Sequence, residues 1–125
     1  MSTQPEPKKV GREDLVEIPG PPEIRRREAF GESGLWAGIA TTQAGLASGW
    51  HHHDGNDTIV YMLSGRLRID FAEGRPSVEA GAGDFLLIPK GLVHRELTAE
   101  EGEAEAVVVR FGGDGPATVE VDPPA

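Results

Sequence analysis

From residue 35 onwards, apolar and polar positions alternate over short stretches that are separated by turn-forming residues. In 35–41, Leu35, Ala37, Ile39 and Thr41 share one face, with Trp36 and Gly38 opposite. The stretch 58–63 is apolar on both faces apart from Thr58 and the Tyr61 hydroxyl, and is rich in β-formers, which predicts a buried central strand. Ser64-Gly65 then makes a tight hairpin. In 66–71 the alternation is clean: Leu67, Ile69 and Phe71 are expected inward, Arg66, Arg68 and Asp70 outward. Further strands are predicted at 77–80, at 85–88 (stopped by Pro89), at 92–98, at 106–111 and, more weakly, at 118–121. Upstream, 15–18 reads as a short edge strand ended by Pro19-Gly20-Pro21-Pro22. Residues 23–30 are ambiguous, because Ile24, Arg27 and Phe30 have partial helical spacing in a segment too short to decide. About nine or ten strands and no helix of three turns predict an all-β fold, a double-sheet jelly roll.

Composition narrows this further. At 125 residues the chain fits one domain, expected over 14–125, after a polar tail at 1–13 expected to be disordered. Seventeen glycines and ten prolines suit short strands and tight turns. The absence of cysteine excludes disulfides, thiolate ligands and cysteine nucleophiles. A net charge of −9 argues against a phosphate-tracking surface and against anionic membranes, so neither nucleic acid nor membrane is an expected partner. No apolar run approaches the roughly 20 residues of a membrane span. The N-terminal stretch lacks the apolar region of a secretory signal, and a cytoplasmic protein is the expectation. Arg25-Arg26-Arg27 either steers an anionic ligand or is a solvated arm on an acidic protein, and the weight falls on the second.

The candidate chemistry is concentrated in residues 45–65, which hold three of the four histidines. In an extended segment His51 and His53 point to one side and His52 to the other, where it reads as a surface residue. His94 stands in a second ordered run, 83–94. If the two runs meet, three neutral nitrogen donors converge on one divalent transition metal, whether Fe, Zn, Ni, Mn or Cu. Structural zinc sites usually recruit cysteine, so an all-histidine set reads as an open, working site.

These runs resemble the paired motifs of the cupin superfamily. The first motif reads G, five residues, H, one residue, H, three or four residues, E, six residues, G. Gly45, His51, His53 and Gly65 fall in its register. The second reads G, five residues, P, one residue, G, two residues, H, three residues, N, and Gly83, Pro89, Gly91 and His94 match it without a gap. Thr58 and Thr98 replace the usual Glu and Asn. The resemblance spans roughly residues 35 to 112 and implies a double-stranded β-helix, the jelly-roll barrel of that family. It implies no particular reaction, because one fold hosts many chemistries.

Thr58 is a poor ligand, so either the ion keeps three neutral donors or a nearby carboxylate substitutes. Asp57 and Thr58 are candidates for a further ligand or for a partner behind the ligands, though Asp57 is one residue out of phase. Glu96 is the better carboxylate, since it shares a face with His94, and is the candidate catalytic group: a ligand, an acceptor for an imidazole N–H or a general base. The alternative is that it stands in water beside Glu100 and Glu101. The rarity of unpaired buried carboxylates tips the balance slightly that way. Trp50, Val60, Tyr61, Met62, Phe71 and Phe85 are expected in the pocket walls, with ordinary core packing as the alternative for each. The ligand set resembles those of diketone-cleaving and thiol dioxygenases. It implies a metal-dependent enzyme on a small anionic or chelating substrate, dioxygenase-like ahead of isomerase or lyase. A non-catalytic sensor or storage module is the other reading. A homodimer is expected, through the edge strands at 15–18 and 118–121.

Overall fold

In a computed structural model the chain is described over residues 5–20, 22–32, 34–99, 102–113 and 118–124. Among these residues eleven strands form: β1 (Val16–Ile18), β2 (Ile24–Glu32), β3 (Leu35–Thr42), β4 (His51–His52), β5 (Asp57–Ser64), β6 (Arg66–Phe71), β7 (Val78–Gly81), β8 (Phe85–Ile88), β9 (His94–Thr98), β10 (Ala104–Phe111) and β11 (Val119–Glu120). The helical content among them is a single 3-10 turn, Arg12–Asp14. Two antiparallel sheets, in the orders β1-β2-β3-β10-β5-β8 and β11-β4-β9-β6-β7, face each other as the jelly roll expected from the alternation.

Inward side chains of both sheets build one core. Val60 and Met62 come from β5, Leu67 and Ile69 from β6, Ala80 from β7, Ile88 from β8, and Ala104 and Ala106 from β10. Burial in β10 alternates strictly, with Ala104, Ala106, Val108 and Arg110 inside, because the pleat sends every second residue to the same face. The two small alanines leave room beside Val60 and Leu67, and this end of the barrel carries a cavity instead of close packing.

The ambiguous stretch 23–30 is strand from Ile24 onward. It is held between β1 and β3, with a bulge between Glu28 and Phe30 that breaks a simple period of two. Gly65 turns the chain from β5 to β6 at φ 74°, and a Cβ there would come 2.7 Å from Ala104 Cα. Within the expected tail, Lys8 pairs with Glu32 and Arg12 with Glu105 on the surface, both at 2.7 Å. Residues 1–4 lie outside those described. β1 and β11, the strands expected to offer edges to a second subunit, are outermost in their sheets.

Two wall expectations are corrected by this architecture. Tyr61 and Phe85 face each other across β5 and β8 on the outer surface, ring centroids 4.5 Å apart, with Phe85 71% exposed. Val60 and Met62 take the inner positions of β5, and the pleat then forces Tyr61 outward. The run 85–88 is apolar on both faces of an edge strand, so hydrophobicity does not report which face is buried.

Candidate metal centre

His51 on β4 lies directly across from His94 on β9, so the ladder brings the two imidazoles to a centroid separation of 4.4 Å. The loop before β4 is tied to β9 by Ser48, whose hydroxyl accepts the Glu96 N–H at 2.9 Å. Thr98 ties it too, with a hydroxyl that donates to the Gln43 carbonyl at 2.5 Å and accepts the Leu46 N–H at 3.0 Å. His53 follows on the same face and heads a tight turn, with Asp54 at φ 53°. Asn56 is buried and locks that turn by donating to the His53 carbonyl and accepting the Gly113 N–H. The His53 ring sits 5.3 Å from His51 and 4.8 Å from His94. His52 points away, and its Nδ1 accepts the Asp54 N–H at 2.9 Å.

For His51 and His94 the hydrogen bonds fix which ring nitrogen is free. His51 Nδ1 donates to the Gly49 carbonyl and His94 Nδ1 to the Leu92 carbonyl, both at 2.8 Å. A carbonyl only accepts, so Nδ1 carries the proton and Nε2 a lone pair. His53 Nδ1 meets the Thr58 hydroxyl at 2.6 Å. Nε2 of His53 and of His94 are buried and have no hydrogen-bond partner. Glu96 Oε1 lies 3.6 Å from His94 Nε2 and 3.9 Å from His51 Nε2. All four donor atoms fall within 4.8 Å of one another. Lone pairs so arranged repel unless a cation lies between them. Donors bound at about 2.0–2.1 Å to a divalent ion stand roughly 3–3.5 Å apart. The Glu96 separations of 3.6 and 3.9 Å approach that spacing, and the set as a whole would draw in around an ion.

Charge states agree with that donor set. Burial pulls the His53 pKa down to about 3, assisted by the Arg110 charge, and burial also lowers that of His51, so both rings are neutral donors at pH 7. For Glu96 burial alone would raise the pKa, but the hydrogen bond from His94 and the charges of His51, His94 and His53, which these rings offer when they hold a proton, outweigh it and bring it to about 2. A proton entering the cluster therefore sits on an imidazole and not on the carboxylate. Glu96 thus enters the site as a carboxylate, with its side chain 21% exposed, and the slight weight given to a solvent position is corrected. The backbone bonds that β9 makes to Ser48 and to β6 keep it from fraying. Glu100 and Glu101 lie outside the described residues.

Thr58 is 1% exposed and stands behind His53, holding its ring. Asp57 is turned away, its carboxylate accepting the Lys90 N–H at 3.0 Å. Val60 lines a cavity of about 40 Å³ that His53, Thr58, Glu96 and Arg110 also bound. A wider pocket of about 280 Å³ lies beside it, with His51, Ser48 and Thr118 in its wall, and both share Ile24, Arg26 and Thr42. Phe71 flanks His94 at 6.5 Å. Met62 is wholly buried in the core instead of lining a cavity, and Trp50 lies under the Arg95 guanidinium at 5.0 Å. A groove of about 650 Å³ near β1 and β2 is larger, but its walls hold the Arg25–Glu17 and Arg27–Glu105 pairs and none of the histidines.

Arg110 is the residue that sequence reasoning passed over. It takes the inner register of β10 at a position the alternation reserves for an apolar side chain, and that mismatch is the signal that finds it.

Residues 38–110 match the family model of the cupin domain, and the chain belongs to that family. It is 41% identical over 68 residues to the uncharacterized protein YdbB of Bacillus subtilis, a match covering 48% of this chain and 59% of that protein, so the chain spans about three fifths of the curated relative it matches. Among solved structures it resembles the polyketide cyclase RemF of Streptomyces resistomycificus, with TM-score 0.76, 21% identity, and 94% and 87% of the two chains covered. It also resembles an oxalate decarboxylase of B. subtilis, with TM-score 0.75, 21% identity, and 96% and 34% covered. Likeness at these identities shows the shared fold.

Proposed function

We propose that the protein is a metal-dependent cupin enzyme that acts on a small anionic or chelating organic substrate, with dioxygenase-like chemistry favoured over isomerisation or elimination. One observation carries this: four lone-pair donors, His51, His53, His94 and Glu96, converge with two buried imidazole nitrogens left without a hydrogen-bond partner. A divalent transition ion on these residues supplies Lewis-acid polarisation of a coordinated anion and, when redox-active, electron exchange. The protein's own contribution is orientation and charge. The Gly49 and Leu92 carbonyls and the Thr58 hydroxyl hold the rings with Nε2 forward. Glu96 is the fourth donor, taking the part that the family's usual Glu would have at position 58. The small inner cavity limits what reaches the donors to a few non-hydrogen atoms, with space for a larger group outside.

The test is elemental analysis of protein purified without a histidine tag, with oxygen-electrode assays over small acids and diketones. One ion per chain, lost in His94→Ala, and substrate-dependent oxygen uptake are expected. Stoichiometric zinc without oxygen uptake removes the oxygenase branch. Ligand binding without turnover makes the protein a sensor or storage module. A metal-free protein in which His51→Ala changes neither stability nor ligand behaviour removes the metal centre.

A further inference from the structure

Among the described residues, Arg110 is a buried cation without a hydrogen-bonded or ion-paired partner. Its residue is 8% exposed, and its Nε has no hydrogen-bond partner. No ion pair to it exists among the described residues. What it touches is the Trp36 ring, 5.4 Å from the guanidinium carbon, on the neighbouring strand β3. On the other side β10 pairs it with Thr58 of β5, so its head faces the cavity bounded by His53, Thr58 and Glu96. Glu96 attracts it through space but makes no hydrogen bond to it. Burying a guanidinium away from acceptors is costly, and such a group is normally matched by a carboxylate or phosphate.

A second cation stands at the same cavity. Of the three consecutive arginines on β2, Arg25 pairs with Glu17 and Arg27 with Glu105. Arg26 alternates to the opposite face and lies in the wall of both the inner cavity and the wider pocket. The positive field of Arg26 adds to burial in drawing the Arg110 pKa down to about 10, which leaves Arg110 charged at pH 7.

We propose that Arg110, with Arg26 at the cavity mouth, is the anchor for a substrate carboxylate, and that it restricts the protein to small carboxylic acids bearing a second oxygen donor, such as 2-hydroxy or 2-oxo acids. The fork of the guanidinium takes the carboxylate in two parallel hydrogen bonds. The second oxygen faces the His51, His53, His94 and Glu96 donors, and this part alone rests on the metal-centre reading. A neutral isostere lacks the charge that Arg110 is buried to meet.

The experiment is calorimetric titration of the full chain, metal-free and zinc-loaded, with glycolate and with its neutral amide, glycolamide, with zinc stoichiometry measured on each preparation. Glycolate should bind at least tenfold more tightly than glycolamide. Arg110→Met should lose at least tenfold in glycolate affinity and, having shed an unmatched buried charge, melt no lower than wild type; Arg26→Gln should lose less. Equal affinity for acid and amide, or unchanged glycolate binding in Arg110→Met, overturns the proposal. Should the methionine variant fail to fold, Arg110→Lys, which keeps the charge but not the fork, must weaken glycolate binding, and unchanged affinity in it overturns the proposal equally. Wild type that holds one zinc but does not distinguish acid from amide refutes the anchor and leaves the metal centre standing. Arg110-dependent glycolate binding without any zinc does the reverse.

Discussion

Thr58 occupies the position where the family pattern has a carboxylate, and the consequence of that exchange can be separated from simple packing. Its hydroxyl lies 2.6 Å from His53 Nδ1, both groups are buried, and His53 Nε2 on the far side of the ring is free. Thr58→Val preserves the shape and removes the partner. In metal-free protein a buried ring nitrogen is left unsatisfied, which costs about 1–3 kcal/mol. The ring is also released to carry its proton on Nε2, the ligand atom. Loss of such an orienting partner weakens metal binding about 10–100-fold, or about 1.4–2.8 kcal/mol. Thr58→Ser is the converse: it loses a methyl group, worth about 1 kcal/mol of stability, but keeps the hydroxyl and therefore the zinc affinity. Urea unfolding of chelator-treated protein gives the stabilities, and competition with a chromogenic chelator gives the zinc affinities. If Thr58→Val binds zinc as tightly as wild type, or Thr58→Ser loses as much affinity as Thr58→Val, Thr58 does not orient His53.

Acid should destabilise the metal-free protein. His53, with its pKa lowered from 6.5 to about 3, and His51, shifted the same way, stay neutral when folded, while the unfolded chain takes up protons below about pH 6.5. Stability present above pH 6.5 is thus lost as pH falls towards 3, by roughly 2 kcal/mol from His53 alone by pH 5. Urea midpoints across this range measure the loss, and a flat profile in wild type, or one unchanged by His53→Gln, contradicts it. Glu96→Gln keeps the volume and removes the charge; zinc affinity should fall at least tenfold, and undiminished affinity would show that Glu96 is no ligand. Gly65→Ala should cost at least about 1–2 kcal/mol, because φ 74° is strained for alanine and the new Cβ runs into Ala104; a smaller loss by thermal or urea unfolding counts against the hairpin geometry.

Strand positions such as β6 and β8, the turn at Gly65 and the shared face of His51 and His53 were legible in the chain itself, because pleat alternation and backbone stereochemistry act over a few residues. Partners across the barrel do not leave such a local trace. Residues 23–30 become strand because β1 and β3 lie on either side, and Phe85 and Tyr61 turn outward because Val60 and Met62 claim the core. Only tertiary structure brings Glu96 to the imidazoles, since that depends on Ser48 and Thr98 stitching the loop before β4 onto β9. The same holds for Arg110: an inward arginine shows in the alternation of β10, but that its Nε lacks an acceptor among the described residues is a property of the cavity, decided by side chains from several strands.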